Sequence, residues 1–375
     1  MVIDPYLQIL LIIIAVLAGM IILLLAAMVM SRLLVSLNSQ KYRLKTQEWE
    51  DIYLSYLYGD LSLEEAAGLM EGEKPYWLWK FFAPYLEVLD GHDFEKTKTL
   101  CREIGLIHHY QKKLHRGGAA GKAVAARVLG ALRCRDSVSE LLNLLHSKTP
   151  FLVWAAAQGL AKSKETDPFF PTAQALLGNT FFTYEGATEI LAGFGENVGP
   201  QIVWYLEKEA EQLPEVGEGQ NIKSPKSIVR KDMVDPVDFR SMMIDLLGFF
   251  KYRQALPLLQ RMLEKADEET TVHILKAFLN MGEVPANLDL KPYLEHRYWV
   301  VRNFSARVWK LTGDRQALPV LEKLLSDQNW WVRFNAAEAL GSAGQPGLEI
   351  LKQKSAGDEQ VAAAISSYAL SRSEV

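Results

Sequence analysis

Cysteine is nearly absent. Cys101 and Cys134 are the only two in 375 residues, too few for a disulfide framework or a thiolate metal cluster. An excess of positive charge is missing as well: 41 Lys+Arg stand against 45 Asp+Glu, a net −4. A surface that grips phosphate backbones needs clustered excess Lys and Arg, so no nucleic-acid partner is expected. Catalytic signatures are also lacking. Neither His-Glu-x-x-His nor Gly-x4-Gly-Lys-Ser/Thr occurs, which removes the common zinc-protease and P-loop classes. His108 and His109 are adjacent on one helix and point apart; the other histidines are scattered. Gly186-x6-Gly193-x-Gly195 follows no strand and reads as a turn. The expectation is no catalytic residue, no metal and no cofactor.

Charge is missing altogether from one long run. Between Leu7 and Met30 the single polar side chain is Gln8. These 24 residues would reach about 36 Å as a helix, against about 30 Å for a hydrocarbon core. A transmembrane helix over 7–30 is therefore expected, opened by Asp4-Pro5, with its outer surface in contact with the lipid bilayer. Arg32, Lys41, Arg43 and Lys45 follow, with no acid until Glu48. The positive-inside rule then puts residues 1–6 outside and the rest in the cytoplasm, a single-pass arrangement in the inner membrane. The four cations are candidates for headgroup contact. Residues 47–375 carry 37 basic and 44 acidic side chains, a net −7.

What is abundant is repetition. Arg253-Gln254-Ala255-Leu256-Pro257 recurs as Arg315-Gln316-Ala317-Leu318-Pro319, 62 residues on, and Trp299-Val300-Val301-Arg302 lies 31 before Trp330-Trp331-Val332-Arg333. Equivalent positions are Val124, Val153, Tyr184, Phe239, Val272, Val301, Val332 and Val361. One spacing is too long by about 25 residues, which places a polar loop insertion at about 210–236, acidic first (Glu207, Glu209, Glu211, Glu215, Glu218) and then basic (Lys223, Lys226, Arg230, Lys231). Within a unit the spacing is helical: Val332, Ala336, Ala339 and Leu340 share a face, and Gly344 and Pro346 end the helix. Each unit is thus a helix pair that must stack on its neighbours to bury its apolar face.

The pattern Asp327-x4-Val332-Arg333-x2-Ala336-Ala337-x-Ala339-Leu340-Gly341-x2-Gly344 resembles the short bacterial HEAT-like repeats of the phycobilin-lyase type. The resemblance covers about 120–375. It implies an all-α protein: a HEAT-like α-solenoid of about seven to eight helix pairs over 119–375, following the N-terminal single transmembrane helix. It also implies that second helices line a concave, protein-binding surface, and that the arginine column Arg240, Arg302 and Arg333 bonds acidic or carbonyl groups of neighbouring repeats.

Residues 31–118 are helical but off the repeat, with a helix break expected near Asn38-Ser39, a juxtamembrane region expected to cap the solenoid. Their six aromatics in ten (Tyr76, Trp77, Trp79, Phe81, Phe82, Tyr85) fit either a cover for the first repeat or an in-plane helix at the headgroups. Two positions before the repeat's anchor stand Phe151, Phe182, Val237, Trp299 and Trp330, with Tyr298 and Trp331 beside the last two. Stacked along the array these form either an aromatic partner-binding ridge or inter-repeat packing. The expected site residues are Trp299, Trp330, Trp331 and Tyr298. The expected function is a membrane-anchored scaffold or adaptor holding a protein partner at the inner membrane face; the resemblance suggests surface-polysaccharide assembly with a glycosyltransferase. The alternatives are an enzyme on the same fold, a lyase or nucleic-acid hydrolase, and a ligand-sensing regulatory solenoid.

Overall fold

The structure, a computed structural model, describes residues 5–212 and 236–373, and within the first helix the side chains of 17, 19–30, 32, 36 and 38 onward. The chain is helical throughout the described residues, with no strand among them. It divides into two units, Met1–Lys113 and Leu114–Val375.

The first unit is built on α1, which runs from Pro5 to Tyr58. No break occurs at Asn38-Ser39. Each of these residues costs only a few tenths of a kcal/mol in a helix, and the Leu, Lys and Arg around them are good helix formers. The helix stops at Gly59, whose φ of 90° no other residue adopts easily. Among the described residues no helix is long and apolar enough to cross a membrane. The expected transmembrane helix is corrected accordingly. With it go the external N-terminus, the lipid contact of 7–30 and the inner-membrane placement. Within α1, Leu17 and residues 19–30 are exposed. Beyond them the same helix continues into a polar segment. Residues 7–16 of the expected span lie outside the described side chains.

Helices α2 (Leu63–Met70), α3 (Pro75–Val88) and α4 (Gly91–Glu103) fold back on the second half of α1, and α5 (Leu106–Arg116) carries the chain past the unit boundary. Ser62 and Glu65 form the capping box that opens α2. Within the first unit, half of the aromatic cluster is packed inside. Trp77, Phe81 and Phe82 are buried, with Phe81 edge-on to Trp49 at 5.8 Å and to Tyr53 at 5.9 Å. Edge-to-face packing of this kind adds to the area these rings bury. The cluster therefore forms the core between α3 and α1. The Tyr53 hydroxyl meets Thr97 Oγ1 at 2.6 Å, and burial pushes its pKa up to about 12.

The second unit is the repeat array. Its first three pairs are α6 (Ala119–Ala131) with α7 (Val138–Leu144), α8 (Pro150–Lys162) with α9 (Phe169–Leu177), and α10 (Tyr184–Ala192) with α11 (Gly199–Gln212). Then come α12 (Pro236–Phe249) with α13 (Leu256–Leu263), and α14 (Glu268–Met281) with α15 (Lys291–Leu294). The last are α16 (Trp299–Thr312) with α17 (Leu318–Leu324), α18 (Trp330–Ser342) with α19 (Gln345–Ser355), and the unpaired α20 (Gln360–Ser373). Each first helix packs on the next, from α6 to α20, while the second helices touch one another far less. Close approach is possible because the crossing residues are small: Ala125, Ala126, Ala155, Ala156, Ala336 and Ala337 are all buried.

The turn inside each pair reveals a stricter period than the sequence did. A left-handed residue ends each first helix: Arg133, Lys164, Gly195, Lys251, Gly282, Gly313 and Gly344. Their separations are 31, 31, 56, 31, 31 and 31, and 56 − 31 leaves 25 inserted residues. The insertion falls between α11 and α12; residues 213–235 lie outside the described residues. Glu207, Glu209 and Glu211, read from sequence as part of that loop, belong to α11. At Arg133, Lys251 and Gly282 the turn is closed by bonds from Cys134 N to Leu129 O, Tyr252 N to Leu247 O and Glu283 N to Phe278 O, the Schellman pattern.

Left-handed backbone costs a side-chain-bearing residue about 1 kcal/mol or more. Lys164→Gly and Lys251→Gly should therefore each stabilise the array by about 0.5–1 kcal/mol, despite the entropy glycine adds to the unfolded chain. Urea midpoints that fall in both variants would show that local contacts of the lysines outweigh the backbone term.

Candidate functional site

The loop before each late first helix is clamped by an arginine one turn in. Arg302 grips Asp327 with two bonds, Nε to Oδ2 at 2.7 Å and Nη2 to Oδ1 at 3.0 Å. Its Nη1 donates to the carbonyls of His296 and Arg297 at 2.8 and 2.9 Å. Arg333 repeats the second half, donating to Asp327 O at 2.7 Å and Gln328 O at 3.1 Å. Asp327 Oδ1 also accepts from Asn329 N, and Asn329 Oδ1 caps α18 by accepting from Trp331 N at 2.9 Å. A forked guanidinium on a carboxylate fixes direction as well as distance. The residues that follow the clamp, Trp299 and the Trp330–Trp331 pair, are thereby held at helix starts.

These aromatics face solvent. Trp330 is 47% exposed, Trp331 55%, Trp299 42% and Tyr298 47%; packed between repeats they would be buried. Trp330 lies edge-on to Trp331 at 4.7 Å and stacks on Phe334 at 5.1 Å with the planes 20° apart. Phe334 continues to Tyr368 of α20 at 5.9 Å. Trp330, Phe334 and Tyr368, together with Arg333, Val361 and Ile365, line an open groove of about 550 Å³ between α18 and α20. Tyr298 instead stacks on His296 at 5.7 Å, under the Arg297 guanidinium. Further back the ridge is mixed. Phe151 is exposed, Phe182 rests against Trp154 at 5.4 Å, and the side chain of Val237 lies outside those described. Phe334 and Tyr368 were missed from sequence. Phe334 stands one helical turn from Trp330, a legible signal; the Tyr368 contact requires the fold.

The cations after the apolar run are placed individually. Arg32, Lys41 and Arg43 are exposed. Lys45 is engaged by Glu48 at 3.1 Å and Glu73 at 3.0 Å. A second polar cluster lies on the first-helix surface: Asp245 of α12 accepts from the Tyr184 hydroxyl of α10 at 2.8 Å and pairs with His273 of α14 at 2.7 Å. It ties three consecutive first helices together. Cys101 and Cys134 are buried, and among the described residues no group of three His, Cys, Asp or Glu is placed to hold a metal.

Residues 287–369, essentially α15 to α20, match the family of HEAT repeats. Among solved structures, the array is similar to the Escherichia coli protein YibA, at 15% identity and a TM-score of 0.34 over 80% of this chain and 98% of that one. It is similar to the CpcE–CpcF complex of phycocyanin lyase from a Nostoc species, at 17% identity and a TM-score of 0.25 over 83% and 94%. It is also similar to importin beta, at 12% identity and a TM-score of 0.39 over 88% of this chain and 52% of that one. No curated protein matches the sequence. The class defined by the fold is an all-α repeat solenoid, of which residues 287–369 match the HEAT repeats.

Proposed function

We propose that this protein is a scaffold or adaptor whose helical array holds a protein partner at its C-terminal aromatic edge. The observation that carries this reading is the exposed Trp330, Trp331 and Tyr368, of which Trp330 and Tyr368 line an open groove with the half-buried Phe334. Rigid aromatics that expose large area are typical anchors of protein interfaces, and HEAT-repeat proteins commonly bind other proteins. The cluster is built on clamped helix starts, so little ordering entropy is lost on binding. The polysaccharide-assembly setting depended on the transmembrane helix and is not carried forward.

The test is photo-crosslinking from a benzoylphenylalanine placed at Tyr368, in the full-length protein in its own cells. One partner should be captured, and Trp299→Ala/Trp330→Ala should weaken its capture at least about tenfold, as loss of a buried anchor does. Equal capture by the double variant would remove the aromatic edge as the binding site.

A further inference from the structure

The 31-residue register brings one position of every first helix onto the same surface. Six positions before Gly195, Lys251, Gly282, Gly313 and Gly344 stand Glu189, Asp245, Lys276, Arg307 and Glu338. The order is acid, acid, base, base, acid. The inner pair of cations and the acids beside them are compensated differently. Asp245 is held by His273 and Tyr184. Glu338 faces Lys310 at 3.6 Å and Arg372 at 3.9 Å. Among the described residues, no carboxylate lies within ion-pair distance of Lys276 or Arg307. Both instead lie against one ring: Lys276 Nζ is 5.3 Å and Arg307 Cζ 5.1 Å from the centre of Phe304. Cations at such distances are attracted to the ring face and held there. Around them Thr188, Phe249, Leu279, Asn280 and Asp245, the last already held by His273 and Tyr184, complete an open groove of about 440 Å³, and Phe249 is 63% exposed.

We infer that this groove binds an acidic segment of a partner protein, two carboxylates meeting Lys276 and Arg307 while an apolar side chain between them rests on Phe249 and Phe304. The inference rests on the scaffold reading and adds a second, charge-selective contact to it. Geometry sets the ligand's spacing. Both cations touch the same ring, so they stand within about 10 Å of each other, the length of about three extended residues. Complementarity sets its sign. In a chain of net −4, a basic pair with no carboxylate at ion-pair distance, set beside the exposed Phe249, selects an acidic, partly apolar peptide. A nucleic acid would need a longer basic track, and here Asp245 and Glu338 bound the pair on both sides.

The test is fluorescence anisotropy on the full-length protein with a short labelled peptide of Glu-Leu-Phe-Glu units. The same peptide with Lys for Glu, and a labelled single-stranded oligonucleotide, serve as comparisons. The acidic peptide should bind, more weakly as salt rises, and Lys276→Glu/Arg307→Glu should weaken it at least about tenfold. Lys276→Gln/Arg307→Gln should fall between, which guards against a charge-reversed protein that fails to fold. Trp299→Ala/Trp330→Ala should leave this binding unchanged, so failure here and failure of the aromatic edge are separable. Absent binding, equal binding by the reversed variant, or preference for the Lys peptide would overturn the inference. Tighter binding of the oligonucleotide would also overturn it and assign the groove to nucleic acid.

Discussion

Alanine at Gly130 should unfold the start of the array. A Cβ there would stand 2.2 Å from Gly159 O, 2.4 Å from Gly159 Cα and 2.6 Å from its carbonyl carbon. All three are backbone atoms of the facing helix α8, so no side chain can rotate away. Gly159 is in the same position towards α6, its Cβ falling 2.4 Å from Ala126 O. The two glycines let the helix backbones touch, and Ala126, Ala155 and Ala156 extend the contact on either side. Forcing the helices apart opens that packing along their length. The expected loss is at least about 3 kcal/mol, the upper range for overpacking. Gly68→Ala is the control. It lies inside α2 with nothing within 4 Å of its Cβ, and should stabilise by up to about 1 kcal/mol. Urea unfolding followed by circular dichroism measures both; a Gly130→Ala midpoint equal to wild type would refute the backbone-contact account.

Arg240→Met should be nearly as damaging, for an electrostatic reason. Arg240 opens α12 just after the insertion, and Glu209 closes α11 just before it. Both side chains are only 7% exposed, with Nε 3.3 Å from Glu209 Oε1. Nη1 reaches Thr270 Oγ1 at 3.3 Å and Asp267 at 3.6 Å in α14. One guanidinium thus joins three repeats and pins both ends of the inserted segment. Removing it strands a buried carboxylate, a loss of about 3–5 kcal/mol. Glu209→Gln on top of Arg240→Met should restore most of it, because the pair's own net worth is small.

The pH dependence has a definite sign. Burial holds the Glu209 carboxyl above its usual 4.5, with Arg240 opposing. A raised carboxyl keeps its proton longer in the folded state than in the unfolded chain. Its contribution to stability is therefore full below 4.5 and is lost as pH rises through the raised folded value. Without Arg240 the loss should extend to higher pH, and in Glu209→Gln this slope should vanish. A single Arg240→Met variant as stable as the double at neutral pH would show that Glu209 reaches water.

Much of this was legible in the residues. The repeat could be read because each pair needs the same things at the same places: small residues where helices cross, an arginine to hold the preceding loop, a turn residue to reverse the chain. Gly344 advertised its turn. Arg133, Lys164 and Lys251 concealed theirs, because a long basic residue is no turn signal, and the period read from sequence was correspondingly uneven. The acids of α11 were taken for loop because glutamate-rich sequence reads as solvated; only the facing Arg240 makes Glu209 a buried group. The apolar run after Leu7 was read by length alone. The structure describes one continuous helix there, with none long and apolar enough to cross a membrane among its described residues.

By itself the sequence determined an all-helical array of pairs with a period near 31 residues, with aromatics and arginines at the late helix starts. Periodicity is a local property, set by which residues share a helix face and which ones end it. The tertiary structure alone decided that Trp330 and Trp331 stay in water while Trp77 and Phe81 do not. It alone brought Glu209 to Arg240 across the insertion, and Lys276 and Arg307 to one ring. Burial and pairing depend on what a neighbouring helix presents, which local periodicity does not encode.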